Sequence, residues 1–212
     1  MDLFDLEGRP VAAPDRLTLA ERRKQETRLE IARTAARLFA ERGTAEVTAE
    51  EIAAAAGVAL RTFYRYARTK EDAVEPMLAT GAQRWLAIIS SGPRRLPKLN
   101  ELQAAAVRSM TLEDDADLEL TRGLLRAMDN DVALRGIWHR INMESERDLT
   151  RVLTELAGPD ADPLRVRLLA AAAAGAIRIA LEEWALDASP QGRGSNPASL
   201  AVRCMRALAG GI

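Results

Sequence analysis

The sequence predicts an all-α protein of about nine helices, and three observations carry that expectation. Ala is abundant while aromatic residues make up only 4% of the 212, and β-branched runs are few, so local preference favours helix over strand. Apolar residues recur three and four apart along most of the chain, and no stretch alternates as a strand would. Thr-x-x-Glu or Thr-x-x-Asp pairs stand ahead of several apolar stretches and mark helix starts.

The elements follow in order. Residues 1–17 show no period and carry Pro10 and Pro14, which predicts a flexible N-terminal arm. Thr18 with Glu21 opens a helix on which Ile31, Ala35, Leu38 and Phe39 share a face, and Gly43 suits its end. Thr48 with Glu51 opens a short helix through Ile52 and Ala53 that Gly57 stops. A third short helix holds Phe63 and Tyr66. Thr69 with Asp72 then starts a long one on which Val74, Met77, Leu78, Gly81, Trp85 and Ile89 keep helical spacing. Gly92-Pro93, Pro97, Gly158-Pro159, Pro163 and the Gly, Ser and Pro stretch from Ser189 to Pro197 bound five more, near 98–111, 114–129, 132–157, 163–187 and 197–209.

Composition narrows the class. With 48% hydrophobic and 29% charged residues, the chain is globular rather than disordered over most of its length. Cys204 is the sole cysteine, which excludes an intramolecular disulfide, and residues 1–10 carry three acids and no apolar run, so a cytoplasmic location is expected. The longest apolar run, Leu168 to Ile177, is ten residues, whereas a bilayer span needs about 20. No membrane partner is expected. One His and one Cys leave little for a metal or nucleophile constellation, and the acids at Glu113, Asp114, Asp115, Asp117 and Glu119 lack a calcium loop's spacing and glycine. No metal, no cofactor and no enzymatic activity are expected.

The net charge of −1 hides an asymmetry. Residues 1–15 carry a net −3, residues 16–70 carry twelve Lys+Arg against seven Glu for +5, and the remainder carries −3. A bias of this size also suits a solvated helix face. Geometry separates the two readings. Two short helices joined by a tight turn at Gly57 can cross steeply, so that the second protrudes and can enter a DNA major groove. Ala53 is small enough to let the helices approach, and Gly57 can take positive φ without steric cost.

From Thr48 to Val74 the chain resembles the helix-turn-helix of tetracycline-repressor (TetR) family transcriptional regulators. The resemblance is carried by Thr48 ahead of the second helix, Ala53, Ala56-Gly57-Val58, Phe63-Tyr64-x-Tyr66 and Thr69-Lys70-Glu71. Two positions depart from the family pattern: Ala67 where Phe is usual, and Ala59 where Ser is common. The resemblance implies a helix-turn-helix DNA-binding domain over residues 18–67 and a helical ligand-binding and dimerisation domain over 68–212. It implies phosphate contacts from Thr48 and Lys70, and the phenol hydroxyls of Tyr64 and Tyr66 are able to reach phosphates. On chemistry alone, Thr48 is an N-cap and Tyr66 could be a core ring with a wet tip.

Arg61, Thr62 and Arg65 lie on the reading helix without an apolar role. Arg61 is the candidate for bidentate contact with guanine, and Arg65 for base or phosphate. Arg16, Arg22, Arg23, Lys24 and Arg28 could add a basic arm or form a solvated face. The family further implies a pocket for an unidentified small-molecule effector, for which Trp85, Met110, Leu125, Met128, Trp138, Asn142, Met143 and Trp184 are candidates. Met and Trp at helical spacing are more often core. His139, Asn142 and Glu146 lie near one helix face and could supply polar contacts, His139 being equally a surface residue. The stretch from Leu168 to Ile177, apolar almost all round, demands burial on more than one side. A homodimer pairing the last two helices would present two reading helices to a palindromic double-stranded DNA operator. A helical protein-binding adaptor, or a small-molecule binder without DNA affinity, is the alternative.

Overall fold

The computed structural model describes residues 18–111, 114–187 and 196–210. The arm expected over residues 1–17 lies outside the described residues, as do Glu113 and residues 189–195 of the Gly, Ser and Pro stretch. Among the described residues the architecture is all-α: α1 (Leu19–Arg42), α2 (Ala49–Ala55), α3 (Leu60–Tyr66), a 3-10 turn (Asp72–Val74), α4 (Glu75–Ser90), α5 (Leu99–Thr111), α6 (Asp115–Ala127), α7 (Val132–Ala157), α8 (Pro163–Leu186) and α9 (Pro197–Gly210).

Both capping boxes form. Thr18 Oγ1 accepts from the Glu21 backbone N–H at 3.2 Å while Glu21 accepts from the Thr18 N–H at 2.7 Å. Thr48 and Glu51 repeat the arrangement at 3.2 and 2.8 Å. Gly43 and Gly57 take φ of +79° and +67°, which L side chains resist. The fourth helix starts later than Thr69 and Asp72 suggest. Pro76 has no N–H to donate to the Asp72 carbonyl, which accepts from Glu75 N–H instead. The chain therefore makes a 3-10 turn first and becomes α-helical at Glu75, with proline in the first turn where its missing donor costs nothing.

Two apolar clusters hold the helices. The first joins Ile31, Ile52, Phe63 and Val74 of the N-terminal elements to Leu124 of α6, Leu134 of α7 and Ala185 of α8. The second joins Trp85, Leu102, Leu153, Val166 and Met205. The 26 residues of α7, about 39 Å at 1.5 Å per residue, run through both. Packing is thus continuous across residue 67, and the N-terminal helices rest on the rest of the chain through shared core.

Within one chain α8 buries a single face, formed by Val166, Ala170, Ala173, Ala176, Ala180 and Trp184. Leu164, Leu168, Ile179 and Leu186 remain 65%, 61%, 45% and 57% exposed along the opposite side. Among the described residues no helix is long and apolar enough to cross a membrane.

Candidate nucleic-acid interface and effector cavity

Phe63 fixes α3. It is fully buried with Ile52 and Ala53 in the first cluster, and the Val58 N–H closes the turn onto the Ala53 carbonyl at 2.9 Å. Ala53 is itself 2% exposed, so a larger side chain would force α2 and α3 apart. Phe63 points inward, and Leu60 and Tyr66 pack partly against the same cluster. Arg61, Tyr64, Arg65 and Arg68 recur at helical spacing on the exposed side, with Thr62 and Tyr66 half-buried at its flanks. The Tyr64 ring stands edge-on to Phe63 at 5.4 Å and is half exposed. The Arg65 guanidinium lies over the Tyr66 ring at 5.3 Å, a cation–π contact that steadies both.

The two family departures have local consequences. Ala59 caps α3 with no side-chain hydrogen bond. Ala67 is 5% exposed within the first cluster, filling with a methyl a place where the family carries a ring.

Thr48 is exposed, but its hydroxyl both accepts from Glu51 N–H and donates to the Glu51 carboxylate at 3.1 Å. Arg42 donates to the same carboxylate at 2.8 Å. The Arg42 bond first, then the Thr48 backbone and hydroxyl, hold Glu51 at about 2 against an ordinary 4.5. A phosphate at Thr48 therefore requires the hydroxyl to rotate away from Glu51. Lys70 differs more from the sequence expectation of an external anion. It precedes the 3-10 turn, and its ammonium donates to the carbonyls of Thr44 at 2.6 Å and Val47 at 2.8 Å. Two of its three N–H groups are engaged inside the head. Of the basic residues on α1, Arg28 pairs with Glu75 at 3.3 Å, and Arg23 and Lys24 are exposed; Arg16 lies outside the described residues.

A cavity of about 70 Å³ opens among α4, α5, α6, α7 and α8. Of the effector-pocket candidates, Trp85, Met110, Trp138 and Asn142 line it. Leu125 and Met128 do not; they are core residues of the first cluster. Trp184 does not either, being 3% exposed with the Arg122 guanidinium 5.2 Å above its ring. Met143 is corrected most clearly. It is 59% exposed, because Trp138, Ile141, Asn142 and Ser145 form the inward face of α7 and Met143 lies off that stripe. His139 is exposed too, and Glu146 is outside the lining.

Sequence reasoning missed Thr121 and Leu118 of α6 and Ser109 of α5 as lining residues, and took Met77, Leu78 and Gly81 only as helix spacing. A Thr on the apolar stripe of Leu118, Thr121 and Leu125 was the available signal. Among the described residues no three His, Cys, Asp or Glu side chains gather as a metal-binding group.

One wall of the cavity is tied to the head. Arg33 of α1 grips Asp117 of α6 through two parallel bonds at 2.8 and 2.6 Å, and this pair raises the Arg33 pKa. Thr44 donates to Asp131, the N-cap of α7. Arg140 of α7 bonds Glu75 at 2.8 Å and Asp72 at 3.1 Å. At the far end of α6, Arg122 and Arg126 donate to the Asp187 carbonyl at 2.6 and 3.2 Å, just past α8.

A short helix packed beneath a protruding, arginine-bearing helix is the helix-turn-helix arrangement. Residues 31–75 match the family model described as "Bacterial regulatory proteins, tetR family". The match runs from within α1 through α2 and α3 to the start of α4. The chain is similar to the HTH-type transcriptional regulator TcmR of Streptomyces glaucescens, with 27% identity over 183 residues covering 84% of this chain and 81% of that protein. Its fold is also similar to that of the fatty acid degradation regulator FadR from Bacillus halodurans, with a TM-score of 0.56, 21% identity, and coverage of 88% and 96% of the two chains. FadR from Bacillus subtilis, solved in complex with stearoyl-CoA, has a TM-score of 0.54 at 21% identity, covering 87% of this chain and 98% of that one.

Proposed function

We propose that the protein is a ligand-responsive repressor that binds a palindromic operator as a homodimer, with residues 18–67 as the reading head and 68–212 as the effector-binding and dimerising body. The observation that carries this reading is the outward face of α3, where Arg61, Tyr64 and Arg65 are exposed while Phe63 holds the helix from beneath. Arg61 offers a planar fork to a guanine edge. Tyr64, Thr62, Arg65 and, at the flank, Tyr66 reach phosphates, joined by the Thr48 hydroxyl after rotation and by the remaining N–H of Lys70. The exposed leucine and isoleucine stripe of α8 is the dimer face; two-fold pairing there sets two heads about 34 Å apart or a multiple of it.

The effector acts through α6. Its cavity of about 70 Å³ is smaller than the ~150 Å³ void that admits benzene. A larger effector must part the surrounding helices, and α6 takes α1 with it through Arg33–Asp117. Coupling of this kind requires the effector to favour the displaced head over the DNA-bound one.

Selection from a random-sequence duplex pool tests the reading. Enrichment of an inverted repeat is expected, with affinity falling steeply as salt rises because phosphate contacts release counterions. A pool that returns no symmetric site would overturn it.

A further inference from the structure

Thr121 is 9% exposed, lines the cavity, and its Oγ1 is enclosed with no hydrogen-bond partner. A threonine within a helix ordinarily turns its hydroxyl to the carbonyl one turn back. In this chain Thr80, Thr150 and Thr154 do so, at 2.6, 2.9 and 2.8 Å. Thr121 does not, and an unbonded enclosed hydroxyl lowers stability unless something else supplies the bond.

The rest of the wall narrows what that could be. None of the described lining residues is ionisable. A charged ligand would lose its hydration there and meet no counter-charge. Ser109 Oγ and Asn142 Nδ2 already donate within their own helices, to Ala106 and Trp138 carbonyls at 2.8 Å each, and Ser145, the other hydroxyl residue of the wall, is only half-buried. The indole N–H groups of Trp85 and Trp138 are bonded to the Leu102 carbonyl at 3.1 Å and to Glu182 at 2.8 Å, so the rings offer the cavity only their apolar surface.

We propose that the cavity takes an uncharged, largely aromatic molecule bearing one hydroxyl or carbonyl, and that Thr121 Oγ1 is the group that orients it. This rests on the effector reading above and gives it a chemical class.

Calorimetric titration of the full chain with 2-naphthol, naphthalene and 2-naphthoate tests it. Naphthol is expected to bind about tenfold more tightly than naphthalene and to outcompete naphthoate by at least as much. In Thr121→Val the preference for naphthol over naphthalene collapses, and in Thr121→Ser it survives. Without ligand, Thr121→Val melts at a higher temperature than the parent, because the variant no longer encloses an unbonded hydroxyl; a merely structural threonine would lower it. Naphthoate binding as tightly as naphthol, an undiminished preference in Thr121→Val, or no binding of any of the three would overturn the proposal. Operator selection on the same protein without probe is read separately: a chain that selects an inverted repeat but favours naphthoate sinks the ligand class alone, and one that discriminates the probes but selects no DNA sinks the regulatory reading alone.

Discussion

Arg61 and Tyr64 stand on one side of a seven-residue helix because Phe63 occupies the other, and the DNA contacts proposed for them differ in kind. Arg61→Ala removes the proposed bidentate base contact, so the expected loss is ~1–3 kcal/mol of discrimination at one operator position. Tyr64→Phe keeps the ring against Phe63 and removes only the hydroxyl, so binding should weaken alike on operator and unrelated duplex. Fluorescence anisotropy on matched and mutated sites separates the two; equal effects of both changes on all sequences would remove Arg61 from base readout. At this scale the sequence was informative where a residue's partner is near in the chain. The Thr48 cap on Glu51 is three residues long and was legible. The Lys70 clamp closes onto carbonyls 26 and 23 residues upstream, and only the folded head brings them to the ammonium.

The element α2 is short, seven residues, and cannot stand on its own hydrogen bonds. Its N-terminal box and the Arg42 bond across from α1 hold it. Glu51 ionises more easily in the folded chain than in the unfolded one, so its contribution is complete above about pH 4.5 and is lost as the pH falls toward about 2. Carboxyl resonances followed by NMR should give Glu51 a midpoint near about 2, and Arg42→Met should move it up toward 4.5. A midpoint already at the ordinary value in the parent chain would refute the Arg42–Glu51 bond in solution. Helix limits were legible almost throughout, since caps, glycines and prolines act locally; α7 runs over the expected residues 132–157. The late start of α4 was not, because the pattern of Thr69 and Asp72 signals a helix start while Pro76 removes the donor that an α-helical turn from Asp72 requires.

For the whole molecule, the question is what covers α8. Leu168→Glu places a charge in the middle of the proposed dimer face. Sedimentation should show the parent as a dimer and the variant as a monomer, with operator affinity reduced in step; a dimeric variant would place the contact elsewhere. The sequence suggested burial on more than one side from Leu168 to Ile177, and a single chain buries only one. The cavity was half legible. Trp85, Met110, Trp138 and Asn142 were recognisable as apolar or amphipathic residues on inward stripes, but Met143 is one residue off the α7 stripe, and Leu125, Met128 and Trp184 fill core that looks identical in sequence. Whether a buried side chain borders a void or a neighbour depends on several helices meeting, which no single periodicity encodes.

The first apolar cluster, unbroken from Ile31 to Ala185, bears on anyone assembling hybrid sensors from this chain. A cut at residue 67 would strip the head of its footing on Leu124 and Leu134, so transplanting it whole onto a foreign scaffold leaves raw apolar surface on both pieces. The exchangeable unit is smaller: the outward side chains of α3 lend almost nothing to the interior, so they can be replaced while the architecture underneath stays untouched.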